Sequence, residues 1–513
     1  MKKTTNALLV FSILIVLNIA AVPTAQAQPG SLDSTFGTNG KVTTDFSGVD
    51  DSGNSIAVQS DGKLVFAGYS DNGSDYDIAV VRYNADGSLD NSFGTNGKVT
   101  TSIGGDDDYG LSVALQSDDK IVVSGCSYNG LNNDFAVVRY NSDGSLDNNF
   151  GTGGKVTTAL GSFGEVAYSM VIQSDGKIIL AGYSDTTNSN FFALARYNSD
   201  GSLDAAFGSG GIVTTHVGLS DDQCYSVTLQ SDGKIVAAGY SHNGTDDDFA
   251  VVRYNTDGSL DNTFDFDGIV TTPVGTSDEE CYSVAIQPDG KIVAAGFDVN
   301  TFTEYAVVRY NSDGSLDNSF GSTGKVTTDI GVGGDDANEV VVQTDGKILV
   351  AGNSSNGSNY DFGLVRYKSD GSIDSTFGTN GIITTDFASG NDFCLSLLIQ
   401  SDGKIIGAGF GAVIGRDFVV ARYDNEIANG ISENIVDNSS TINPNPFSDE
   451  ITINTTGDNV EVIIFDATGK EVSREKTFGP ETKISTAHLS PGFYFIRFFD
   501  GNRTVNVKAI KLQ

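Results

Sequence analysis

The chain has 513 residues, 66 of them acidic and 30 basic, for a formal net charge of −36. A surface of that sign repels phosphate backbones and anionic lipids, which excludes nucleic acid and acidic membranes as partners. Most of the excess charge reads as solubility in an extracellular setting.

The first residues have the order of a secretory signal. Lys2 and Lys3 are followed by an apolar run from Ala7 to Val22 and by Ala25-Gln26-Ala27, small residues at the two positions a signal peptidase reads. Residues 1–27 are expected to be a signal peptide cleaved after Ala27. The other reading is an uncleaved anchor, but the run is shorter than the ~20 residues that span a bilayer. No Cys follows the site to take a lipid, and no later stretch is long and apolar enough to cross a membrane, so the mature chain is expected to have no transmembrane segment.

A repeat follows. An Arg-Tyr pair closes an apolar run at Arg82, Arg139, Arg196, Arg253, Arg309, Arg366 and Arg422, spaced 56 or 57 residues apart. A period that regular is one supersecondary unit copied seven times. Each unit holds four short β-branched or apolar runs separated by turn residues. Asp-Gly joins the first two runs in six units; the second unit has Asp118-Asp119 there. Gly recurs late in the second strand (Gly68, Gly125, Gly182, Gly239, Gly296, Gly352, Gly409), where it lets backbones approach closely. Four strands per unit make a propeller blade. No window has a helical apolar period, and a parallel β-helix, the alternative fold, usually has shorter rungs.

The expected fold is all-β: a seven-bladed β-propeller over 31–424, then a linker over 425–440 and a small β-sandwich. With strands named a to d from the inside, the a-b-c set occurs seven times. The element making strand d also occurs seven times, but its first copy, residues 31–44, precedes the first strand a. The N-terminal strand is therefore expected to complete the last blade and close the ring. Each strand-c Arg is followed eight residues later by an Asp, as in Arg82 and Asp90, and the pair is expected to meet within the blade. Arg422 lacks such an Asp; ring closure gives it Asp33.

The matching residues Gln59-Ser-Asp-Gly-Lys63, Ala79-Val-Val-Arg-Tyr83 and Asp86-Gly-Ser-Leu-Asp90 make the unit resemble the delta-60 repeats of secreted bacterial proteins. That resemblance implies the fold and no activity. Residues 441–513 alternate in the manner of short strands, with a turn at Asp466-Ala-Thr-Gly-Lys470. Asn443-Pro-Asn-Pro-Phe447, Val462 to Lys470, Leu489 to Arg497 and the basic terminal strand resemble the C-terminal sorting domain of type IX secretion. The resemblance implies handling by that machinery, removal of this domain, and release or attachment at the cell surface. The linker over 425–440 is polar.

The a–b and c–d links share one propeller face and are monotonous: Ser-Asp-Gly-Lys and Asp-Gly-Ser-Leu-Asp. The d–a and b–c links share the other face. They vary between units and hold strings such as Asp106-Asp107-Asp108, Asp278-Glu279-Glu280 and Asp246-Asp247-Asp248. Diversified loops on a repeated scaffold are where binding resides. Asp106, Asp107, Asp108, Asp246, Asp247 and Asp248 are the candidate metal ligands, and Ca²⁺, which takes ~6–8 oxygens, is the candidate cofactor; no EF-hand spacing is present.

Cys224, Cys281 and Cys394 share one repeat slot that elsewhere holds Gly or Ala, and Cys126 replaces a strand-b Tyr. All four read as small packing residues, not disulfide partners. His216 and His242 sit in links of the acidic face, and His488 lies in the sorting domain. No catalytic motif is present, so no catalytic residue is assigned. Trp is absent; Tyr69, Tyr183, Tyr240 and Phe297 are the aromatic side chains available for stacking on sugars. The expected protein is a secreted or cell-surface binding or scaffold module without catalysis, its ligand an extracellular protein or glycan. The alternative is a propeller hydrolase or lyase acting on polysaccharide, since paired carboxylates abound.

Overall fold

A computed structural model of the chain describes residues 28–46, 50–187, 189–412 and 415–425. Beyond these it describes 440–443, 450–455, 461–466, 471–476, 481–489, 492–499 and 504–511. The expected signal peptide, residues 1–27, nearly all of the expected linker, the Pro-Asn-Pro-Phe segment after Asn443 and the turn residues 467–470 lie outside the described residues.

Residues Gln28–Glu426 form one compact unit. It holds seven antiparallel four-stranded sheets. Blade 1 runs a Asp51–Val58, b Leu64–Asp71, c Tyr76–Tyr83, d Lys98–Thr101. Blades 2 to 6 repeat this order up to strand d of blade 6, Ile382–Thr385. Strand a of each blade contacts strand a of the next, and that of blade 7 contacts that of blade 1, so the seven form the inner ring of a β-propeller.

Blade 7 is built from both ends of the unit. Its strands Asp392–Ile399, Ile405–Gly411 and Asp417–Tyr423 are completed by Lys41–Thr44. Lys41 pairs with Ala421 and Thr44 with Phe418, antiparallel. The ring therefore closes on the N-terminal strand, and blade 7 has four strands like the others.

Alternation along strands b and c sends successive side chains to opposite blade faces. Each seam between blades consequently has its own apolar core. Phe36, Ile56, Phe66 and Val81 meet Ile406, Phe418 and Val420 between blades 7 and 1. Burying one such Phe contributes roughly 1.5–3 kcal/mol. A bulge in strand a brings its main chain against the Gly of strand b. A Cβ on Gly68 would lie 1.8 Å from the Ser52 carbonyl oxygen, so only Gly fits.

The described residues from 440 onward make a small β-sandwich. One sheet joins Ser440–Asn443, Glu450–Thr455 and Glu481–Ser485. The other joins Glu471–Lys476, Glu461–Asp466, Gly492–Phe499 and Thr504–Lys511. Ile451 and Ile484 from the first and Val462, Ile464 and Ile496 from the second share one buried core.

Candidate functional site

The repeated face is stapled by its arginines. Arg253 is 4% exposed and its Nε donates to Asp261 Oδ2 at 2.7 Å. The equivalent bond recurs in blades 1, 2, 3 and 5, Arg366 Nε of blade 6 lies 2.9 Å from Asp374 Oδ2, and in the last blade Arg422 Nε donates to Asp33 Oδ2 at 2.8 Å. Each guanidinium also reaches the next blade: Arg253 Nη1 donates to the Ser312 carbonyl at 2.6 Å, and Arg422 Nη1 to that of Ala85 at 2.5 Å. It lies over a buried Phe ring as well, at 4.6 Å for Arg253 and Phe264. The a–b turn adds a lysine, with Lys234 Nζ 3.0 Å from Asp261. Burial alone would raise the Asp90 carboxyl, but hydrogen bonds from Ser92 and the Arg82 guanidinium outweigh it and hold it down at about 2. The Tyr after each Arg forms a second belt. Tyr254 Oη donates to Thr215 Oγ1 of the preceding blade at 2.8 Å, and Tyr83 to Thr44 at 2.8 Å.

The other face treats its acids differently. The first residue of strand a is acidic in every blade: Asp51, Asp108, Glu165, Asp222, Glu279, Asp335 and Asp392, all with 0% exposure. By sequence several of these fall in the variable d–a links. The link folds over the carboxylate and donates its main-chain N–H groups. Ile103 N–H reaches Asp108 at 2.6 Å, Gly161 N–H reaches Glu165 at 2.8 Å and Gly275 N–H reaches Glu279 at 2.8 Å. Burial pushes Glu165 and Glu279 up to about 7, with the charges of Asp134 and Asp185 adding to the first and those of Asp298 and Asp248 to the second.

Aromatic rings crowd the strand-a ring on this side. Tyr168, Tyr225 and Tyr282 of blades 3 to 5 stand in a row, with ring centres 4.8 and 4.9 Å apart. Tyr183, Tyr240 and Phe297 of strand b back them at 5.9, 6.0 and 5.7 Å. Tyr69, Tyr76 and Tyr109 form a second group, and Tyr360, Phe393 and Phe410 a third. Polar atoms sit between the rings: Tyr282 Oη donates to Glu280 Oε2, and Tyr225 Oη to Gln223 Oε1, both at 3.0 Å. Burial and the charges of Asp247, Asp278 and Asp336 push Glu280 up to about 7. Half-buried rings beside carboxylates offer flat apolar surface and hydrogen-bond acceptors together. The loop tips add exposed apolar residues: Leu131, Leu219, Phe302 and Val332.

The candidate ligands from sequence are spread over two places. Asp106 is exposed; Asp107 accepts Tyr76 N–H at 3.0 Å; Asp108 is buried under its link. Asp246 and Asp248 both accept from the Asn243 amide, and Asp247 pairs with His242 Nδ1 at 2.8 Å. Among the described residues, the carboxylate trios that converge are others: Asp361, Asp386, Asp392 and Asp45, Asp51, Asp417. The acidic column heading strand a was visible in the aligned units and is the signal that leads to both. His216 and His242 do not form a pair: His216 Nδ1 lies 2.9 Å from Asp222. All four cysteines are buried and free, in the packing role expected of them. Tyr69, Tyr183, Tyr240 and Phe297 all fall within the aromatic groups.

Grooves of about 540, 690 and 570 Å³ lie on the opposite face, lined by repeated turn residues such as Lys234, Asp313, Asp370 and Asp200. They carry the same chemistry from blade to blade.

Comparison with known families matches residues 59–93, 116–150, 173–207, 230–264, 287–320 and 343–377 to a β-propeller domain of unknown function, DUF5122. Residues 441–512 match the secretion system C-terminal sorting domain. The chain carries both domains. Six matches accompany seven blades because the matched segment runs from the a–b turn to the c–d link, and in blade 7 the end of that segment is Asp33 to Phe36, at the N-terminal side. The sorting domain marks a protein exported by type IX secretion to the outer cell surface or the extracellular space.

Among solved structures the chain is similar to PorZ, a surface component of the type IX secretion system of Porphyromonas gingivalis, at 12% identity and a TM-score of 0.38, over 89% of this chain and 59% of that one. It thus spans 59% of that protein's length. A Staphylococcus aureus virginiamycin B lyase is similar at 12% identity and TM-score 0.44, over 74% and 98% of the two chains. The polysaccharide lyase Uly1 is similar at 12% and 0.42, over 73% and 90%. No curated protein matches the chain.

Proposed function

We propose that the propeller is a non-catalytic binding or scaffold module that engages an extracellular protein or glycan through its variable face. One observation carries this reading. The repeated face spends its chemistry on ion pairs that hold the ring, while the other face keeps blade-specific aromatic and acidic side chains around the inner ring. Diversity restricted to one face of a repeated scaffold is the pattern of a binding surface. Rows of half-buried Tyr suit the flat faces of sugars or of apolar side chains.

A protein and glycan binding array, probed with the mature chain in Ca²⁺ and in chelator, tests it. Tyr225→Ala with Tyr282→Ala is expected to abolish the strongest signal while the circular dichroism spectrum stays native. Binding that survives this double variant contradicts the assignment of the face.

One observation favours the enzyme reading. Glu280, held up at about 7, accepts a hydrogen bond from Tyr282, and such a pair suits proton transfer near neutral pH. Release of new chain ends from an acidic polysaccharide, lost in Glu280→Gln, would establish that reading in place of the first.

A further inference from the structure

Between blades 6 and 7 the carboxylates of Asp361, Asp386 and Asp392 converge, with oxygens within 4.8 Å of one another. Asp392 is 0% exposed and Asp361 8%. Each gives one oxygen to a protein donor. Asp392 Oδ2 accepts Phe387 N–H at 2.7 Å, and Asp361 Oδ2 accepts the Asn356 amide at 2.9 Å. The remaining oxygen of each, Oδ1, is buried and has no hydrogen-bond partner. A buried carboxylate oxygen without a donor is strongly unfavourable.

The blade itself keeps room for that oxygen. Gly411 pairs with Asp392 across the sheet, at a position where five other blades carry serine. A Cβ there would lie 2.5 Å from Asp392 Oδ1. The adjacent cation, Lys41, bonds the main-chain carbonyl of Asp386, so it sets one positive charge beside three negative ones. Burial, with the charges of Asp386 and Asp361 added, pushes Asp392 up to about 6.

The seam between blades 3 and 4 supplies an internal control. There His216 follows strand d at the position of Asp386, Phe191 replaces Asp361, and Asp222 is the counterpart of Asp392. His216 Nδ1 lies 2.9 Å from Asp222 Oδ2. At that seam an imidazole meets the buried acid; at seam 6–7 two further acids do.

We propose that a divalent cation, Ca²⁺ by the hardness of its all-oxygen donor set, binds between blades 6 and 7 on Asp361, Asp386 and Asp392. Oxygens within 4.8 Å of one another fit around one ion at roughly 2.3–2.6 Å from each, with water completing a shell of ~6–8. A second trio, Asp45, Asp51 and Asp417, gathers at the seam between blades 7 and 1. The two trios flank blade 7, the blade assembled from both ends of the propeller. A cation there ties the closing blade to its neighbour, a role independent of any ligand on the variable face.

The test is equilibrium Ca²⁺ binding to the mature chain, freed of metal by chelator, read by calorimetry together with the melting temperature. Saturable binding at roughly 10⁻⁴–10⁻³ M is expected, with a melting temperature raised by about 2–5 °C at about 5 mM Ca²⁺. Asp386 is exposed, so its variants keep the fold. Asp386→Asn is expected to remove one equivalent of bound Ca²⁺. Asp386→His is expected to imitate the His216–Asp222 seam, removing the same equivalent while melting higher than Asp386→Asn in chelator. Asp106→Asn, outside both trios, is expected to bind as the parent does. No saturable binding at millimolar Ca²⁺, or an unchanged stoichiometry in both Asp386 variants, overturns the proposal.

Discussion

On the repeated face, Asp90, Asp147, Asp204, Asp261, Asp317, Asp374 and Asp33 each meet a guanidinium, and the a–b lysine lies close by. On the variable face, Asp108, Glu165, Glu279 and Asp392 are equally buried but are held by main-chain N–H groups of their links. The first arrangement favours the charged carboxylate and pulls its pKa down; in the second, desolvation dominates at Glu165, Glu279 and Asp392 and pushes theirs up. One face therefore satisfies its charges internally and serves the ring. The other leaves charge to be balanced by a proton, a cation or a ligand from solvent, and serves what the ring meets.

Removing the device that closes the repeated face should have the largest effect. Deletion of residues 31–44 strips strand d from blade 7, removes buried Phe36 and leaves Arg422 without Asp33. Loss of a cooperative unfolding transition is expected by circular dichroism. Next comes a single staple. Arg253→Ala leaves Asp261 buried without its guanidinium, and a loss of about 3–5 kcal/mol is expected in denaturant titration. Asp106→Asn, exposed on the variable face, should stay within about 0.5 kcal/mol of the parent, which sharpens the contrast. Tyr254→Phe removes the hydroxyl that bonds Thr215, and should lose about 0.5–1.5 kcal/mol. One further substitution acts with the opposite sign. Asp119 holds a φ of +63° where the other a–b turns have Gly, so Asp119→Gly should stabilise by roughly 1 kcal/mol.

Period, blade number and ring closure were legible because they rest on residue identity at fixed spacing. The eight-residue offset from Arg to Asp is local, and the orphan Arg422 pointed to Asp33. The contacts that run between blades were not legible. The reach of Arg253 to Ser312 and of Tyr254 to Thr215 links positions 59 and 39 residues apart, set by how one sheet packs on the next. The strand-a acids were misplaced for a related reason. Beside variable Asp-rich links, Asp51, Asp108 and Glu279 looked like loop residues, whereas the returning link covers them and supplies their donors. The converging trios then follow from seam geometry, which brings Asp361 and Asp392 of different blades together.

Stability against pH tests the contrast between the faces most directly. Acids of the variable face have folded pKa values raised above their unfolded ones: about 7 for Glu165, Glu279 and Glu280 and about 6 for Asp392. Their contribution is present below pH 4.5 and is lost as pH rises towards about 7. Acids of the repeated face are lowered, so theirs is present above pH 3.8 and is lost only as pH falls towards about 2. In chelator the melting temperature is therefore predicted to peak near pH ~5 and to fall by pH ~8, and millimolar Ca²⁺ is predicted to restore only the part of that fall that belongs to the trio of Asp392. A melting temperature that rises steadily from pH ~5 to pH ~8, with or without Ca²⁺, would contradict the account.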